Sequence, residues 1–178
     1  MKPVLAEILK LRGSTSWAVA VLLPVASVVS ACIFVRPDGW RLLWIRSVGF
    51  YGMALLPVGL AVLASLVWRV EHRGTSWNAM RTTPHSPTAV ALAKTLVILA
   101  PVLAMQSVLL ALTWLAGITV ADLGPAIPAA FVASGLLAIL GALPLVAMQS
   151  LLSMLMRSFA APVAVAFLGC VMGFGLLA

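Results

Sequence analysis

Apolar residues run along this chain in five long blocks separated by short polar islands. The blocks cover residues 17–35, 47–68, 95–117, 127–155 and 160–178. Crossing a hydrocarbon core about 30 Å thick takes about 20 helical residues, and each block is near that length or longer. Backbone N–H and C=O groups cannot go unpaired in lipid, so helices are the predicted form. The pattern therefore predicts an all-α integral membrane chain of about five transmembrane helices. It forms a single transmembrane domain over residues 1–178, without internal repeats.

Two shorter segments carry their own patterns. In residues 1–16, Val4, Leu5, Ile8 and Leu11 can share one helical face, with Lys2, Lys10 and Arg12 available to lipid heads. This reads as a helix lying in the membrane interface, or else as an unstructured lead-in to the first span. In residues 69–94, Trp77, Met80 and Val70 fall at helical spacing until Pro84 stops the helix. Ser86 followed by Pro87 then signals a new helix start, which rises past Lys94 into the third span. The prediction is a helix-turn-helix between spans two and three, with contact to lipid heads alone as its simplest role.

Composition confirms the class. The 178 residues are 63% hydrophobic and 8% charged, and the mean hydropathy is +1.18. Soluble domains carry about 25% charged residues. The net charge of +7 is a topology signal. Lys2, Lys10, Arg12, Arg69, Arg73, Arg81, Lys94 and Arg157 fall on one side of the predicted spans, and Arg36, Arg41 and Arg46 on the other. The richer side should be cytoplasmic, which puts the N-terminus and residues 69–94 inside and Asp38 and Asp122 outside. The charge also attracts anionic lipid heads. No basic run is long enough for a nucleic-acid patch.

Little in the sequence supports covalent chemistry. Cys32 and Cys170 lie inside apolar blocks, where a thiol behaves as a small hydrophobe. His72 and His85, with Glu71 beside them, fall short of a metal-ligand cluster, so no metal is expected. The spans as drawn contain no carboxylate to relay protons and no acid or His at the depth of their serines. There is no phosphate loop, so no cofactor is expected on this chain and it is not read as an enzyme. Pro24, Pro57, Pro101 and Pro144 place one helix weakener in each of the first four spans. Gln106 and Gln149 are buried amides that line a path or bond a neighbouring helix, and Gly169 and Gly173 form a G-x-x-x-G packing pair. Trp40 and Trp44 suit the outer membrane interface.

The run Glu71-His72-Arg73, Trp77, Thr83-Pro84, Ser86 and Lys94, with the opening Glu7-Ile-Leu-Lys10-Leu11-Arg12, resembles ABC-2-type transporter permeases. It is most similar to the branch associated with lantibiotic export and self-immunity. The resemblance implies a transport subunit without its own ATPase motif, in a bacterial plasma membrane. Its implied partners are a separate ATP-binding subunit and a second permease copy, identical or not. It also implies that Glu71, Gly74, Trp77, Pro84 and Lys94 belong to an ATPase-coupling segment. The cargo would be a hydrophobic or peptide compound, an antimicrobial, a drug or a lipid. Such permeases have six spans, whereas this sequence stops at the fifth block, which favours a shortened chain. The alternative function is a non-transporting membrane scaffold or assembly protein.

Overall fold

A computed structural model of the chain describes residues 2–11, 13–33, 36–72 and 86–177. Six helices follow one another: α1 (Lys2–Leu11), α2 (Ser16–Ile33), α3 (Trp40–His72), α4 (Pro87–Thr119), α5 (Ala129–Leu155) and α6 (Ala160–Leu177). No strand occurs among the described residues. Helices α2 to α5 are long and apolar enough to cross a membrane, and α6 is a shorter apolar helix. The five predicted blocks are therefore all helical, with boundaries shifted by a few residues except at α3 and α4.

Those two helices outrun their apolar blocks. α4 has 33 residues, which at 1.5 Å per residue is about 50 Å, well beyond the hydrocarbon thickness. Its start is as the sequence predicts: Pro87 occupies the first turn and the Ser86 hydroxyl accepts the Ala89 N–H at 3.2 Å. The helical segment expected around Trp77 and Met80 lies outside the described residues.

α3 contains two wide π turns, Ile45–Gly49 and Tyr51–Leu55. The second ends two residues before Pro57, whose missing N–H and bulky ring prevent a regular i−4 bond to Met53. The first brings hydroxyls to the backbone. Ser27 on α2 donates to the Ser47 carbonyl at 2.7 Å, and Ser47 donates to the Leu43 carbonyl at 2.7 Å. Thr113 on α4 donates to the Ser47 hydroxyl at 3.4 Å. A backbone loosened inside an apolar bundle is thus satisfied by Ser27 from a neighbouring helix and by Ser47 from α3 itself.

α1 ends where Gly13 takes φ +77°, and the Ser14 N–H returns to the Leu11 carbonyl at 3.0 Å. Such a left-handed turn suits glycine, which has no Cβ to clash. Helix α1 then lies against α4. Leu11, from the expected apolar face, is buried together with Glu7, whereas Ile8 of the same face is exposed. At the opposite end of the bundle, Arg36 faces Asp122 across 3.9 Å. The two tryptophans expected at the lipid interface there turn inward instead. Trp44 is buried and stacks on Phe131 at 5.1 Å, and the Trp40 ring occupies the space a side chain at Gly117 would need. Glycine at 117 admits a large ring that closes the bundle end, so packing outweighs the interfacial preference.

Candidate functional site

Four charged side chains from three helices meet at the α1 end of the bundle. Lys94 lies one residue before the predicted start of span three, in the run Val90-Ala-Leu-Ala-Lys94-Thr-Leu-Val, and its side chain is wholly buried. A buried ammonium needs counter-charge close by. Glu7 Oε2 of α1 supplies one partner at 2.7 Å, and Glu71 Oε1 of α3 another at 3.0 Å. Lys10 closes the cluster, 2.6 Å from Glu7 Oε1 and 3.3 Å from Glu71 Oε1. Two carboxylates and two ammoniums make the group neutral, so no net charge is buried. Both carboxylates have little exposure, 8% for Glu7 and 7% for Glu71.

Lys94 also sits over the Trp68 ring, 5.4 Å from its centre, and reaches the Val67 carbonyl at 3.5 Å. The indole adds a cation–π contact in a desolvated setting. Burial works against the charged form of Lys10, but the paired carboxylates of Glu7 and Glu71 outweigh it and raise its affinity for the proton. A raised lysine pKa means its pairing is complete below the ordinary value of 10.5 and is lost only as pH climbs past the raised one. Lys10 therefore keeps its charge at neutral pH.

A polar seam continues from this cluster into α5. The Trp68 indole N–H donates to the Ser150 hydroxyl at 3.0 Å, and Thr95 shares a hydroxyl contact with Ser150 at 2.8 Å. Ser65 meets Ser153 at 3.3 Å, and His72 Nε2 donates to the Ser153 carbonyl at 2.8 Å. The seam ties α3, α4 and α5 together at the depth where α1 clamps them. Its hydroxyls are hydrogen-bonding pins, and the His72 contact runs to a backbone oxygen.

Of the coupling residues predicted from the sequence, the structure brings Glu71 and Lys94 into direct contact. Gly74, Trp77 and Pro84 lie outside the described residues. The sequence reading missed Glu7 and Lys10 as members of this cluster. The available signal was Lys94 itself, a lone charge in an apolar helix, which demands a partner. That reading also ended span two at Trp68, whereas the helix runs on to His72 and carries Glu71 in its last turn.

Gln106 and Gln149 are both buried, with Gln106 Nε2 and Gln149 Oε1 unpartnered. Gln149 lines an apolar cavity of about 330 Å³ together with Met53, Pro57, Cys170 and Phe174. Gly169 and Gly173 line the same cavity, and a Cβ on either would meet no atom within 4 Å. Within this chain the glycine pair therefore borders open space instead of a packed helix.

No curated protein and no solved structure gives a match. Residues 4–173 match the family model described as ABC-2 family transporter protein. That match spans nearly the whole multi-pass helical chain, which belongs to the ABC-2 transporter family.

Proposed function

We propose that this chain is the membrane-spanning subunit of an ABC exporter, driven by a separate ATP-binding subunit and working beside a second permease copy. The observation that carries the reading, beyond family membership, is the contact between Glu71 and Lys94 at 3.0 Å. These residues flank the connection between α3 and α4, so its two ends are pinned to each other and to α1. A force applied to that connection would reach three helices through one charged bracket. ATP can drive transport only if the docked contacts differ in energy between two states of the permease, and rigid-body rocking of the spans is the simplest response.

The apolar cavity beside Gln149 is a plausible transport contact for a hydrophobic or peptide cargo. It offers one amide oxygen in an otherwise apolar wall. The lantibiotic export and immunity branch is supported by Glu71, Trp77, Pro84, Ser86 and Lys94 in the sequence, while the family match itself is to the broader ABC-2 group. The purified chain alone should hydrolyse no ATP above background, with ATP-driven cargo movement appearing only on adding the partner subunit. ATP turnover that stays with the chain through successive purification steps would overturn this.

We place the α1 end in the cytoplasm because eight of the eleven basic residues lie on that side. In intact cells a membrane-impermeant thiol reagent should label Asp38→Cys and Asp122→Cys but leave Asn78→Cys unmodified. Labelling at position 78 would reverse the orientation.

A further inference from the structure

A second cationic site lies at the same end of the bundle, beside the charged bracket but separate from it. A cavity of about 200 Å³ opens there between α3 and the α5–α6 turn, lined by Ser65, Arg69, His72, Ser153, Arg157 and Ser158. Phe159 forms part of its wall, and the Arg69 guanidinium stands over that ring at 5.9 Å from its centre. The ring holds the guanidinium without neutralising it.

The chain has four acidic residues in all, and each is accounted for elsewhere. Glu7 and Glu71 pair with Lys10 and Lys94 in the bracket. Asp122 faces Arg36 at the opposite end, and Asp38 lies in the loop that follows Arg36. Among the described residues neither Arg69 nor Arg157 has a carboxylate within ion-pair distance. Both guanidiniums are therefore available to an anion from outside the chain.

The surroundings define that anion further. Two arginines line the cavity with the exposed Ser158, while Ser65 and Ser153 pair with each other at 3.3 Å; guanidiniums suit phosphate oxygens. The flank of the cavity is apolar: Met156 and Phe159 line it beside the guanidiniums, and Phe159 is 40% exposed. A ligand with a charged head and hydrocarbon tails would satisfy both parts, whereas an acidic protein loop would leave the apolar flank uncovered. The geometry points to a binding site for the phosphate headgroup of an anionic phospholipid, with its acyl chains passing Met156 and Phe159. Basic pockets between spans at a membrane interface recognise lipid heads through the same chemistry.

The test uses the full chain in mixed micelles of phosphatidylglycerol and phosphatidylcholine, read by native mass spectrometry. Retained phosphatidylglycerol should exceed phosphatidylcholine on the wild-type chain. The pair Arg69→Gln and Arg157→Gln should lower that preference about tenfold or more. Arg36→Gln with Arg41→Gln, at the other end, should leave it unchanged. The single variant Arg157→Gln, exposed and outside the helices, should give a partial loss without disturbing the fold. Soluble glycerol phosphate at a concentration equal to the lipid should fail to displace it; full displacement would show a free-phosphate site and overturn the lipid assignment. Undiminished preference in the double variant would also overturn it, as would a double variant that keeps its lipid but loses an ATP-binding partner.

Discussion

Lys94→Met is expected to destabilise the chain by about 3–5 kcal/mol, the cost of removing one partner from a buried ion pair. The reason is charge imbalance more than lost contact. Lys94 is wholly buried and touches both carboxylates. With methionine in its place, Lys10 alone must balance Glu7 and Glu71, and its side chain is 45% exposed. One carboxylate must then take up a proton or draw in water, and the link from α1 through α3 to α4 loosens. A second substitution separates this from a simple packing defect. Glu71→Gln in the Lys94→Met background removes the surplus negative charge while keeping the side-chain volume, so it should recover a substantial part of the loss. Thermal unfolding in detergent, followed by the fraction surviving size exclusion, measures both. A Lys94→Met protein as stable as wild type would sink the bracket, and a double variant no better than the single one would show that charge balance is not its basis.

This cluster also shows where reading the sequence stops. The spans were legible because a bilayer sets one length and one polarity, and residues 127–155 or 160–178 satisfy both without reference to any other part of the chain. The Ser86-Pro87 start was legible because capping is settled within one turn. The bracket was legible only in part. Lys94 announces a need for counter-charge, but nothing local says that the partner is Glu7, 87 residues away. Ion pairing depends on which helices pack together, and apolar spacing within α1 does not say that it packs on α4. The π turns of α3 follow the same logic. Pro57 flags a weakness at the second, but the contacts of Ser27 and Thr113 to Ser47 in the first require α2 and α4 to lie alongside. Trp40 and Trp44 fail for a related reason: interfacial preference is a weak average, and a glycine at 117 and a ring at Phe131 offer better burial.

Trp77→Ala should weaken association with the ATP-binding subunit by about 2 kcal/mol or more, roughly 30-fold, and abolish transport while the chain still inserts and folds. Trp77 follows Glu71 by six residues and precedes the Ser86 cap, so it falls within the connection whose ends the bracket joins. A large apolar side chain in a short, otherwise polar connection has two natural destinations, the lipid surface or a groove in a partner protein. The bracket favours the second. Four paired charges at the base of the connection, three of them buried and drawn from three helices, make a stiff mounting, and stiffness there serves force transmission; lipid contact needs none. The control belongs at the opposite end of the bundle. Trp40 is a poor choice because its ring is packed against Gly117 and its loss would disturb the fold. Trp114 is 43% exposed and donates to the Pro125 carbonyl at 3.0 Å, so Trp114→Ala removes a comparable ring at little cost to the core and should leave ATPase binding intact. Co-purification of the two subunits from membranes, titrated against salt and detergent, gives the comparison. If Trp77→Ala retains the partner as well as Trp114→Ala does, and transport persists, the connection lies on lipid and the docking assignment fails, while the bracket and its effect on stability would stand.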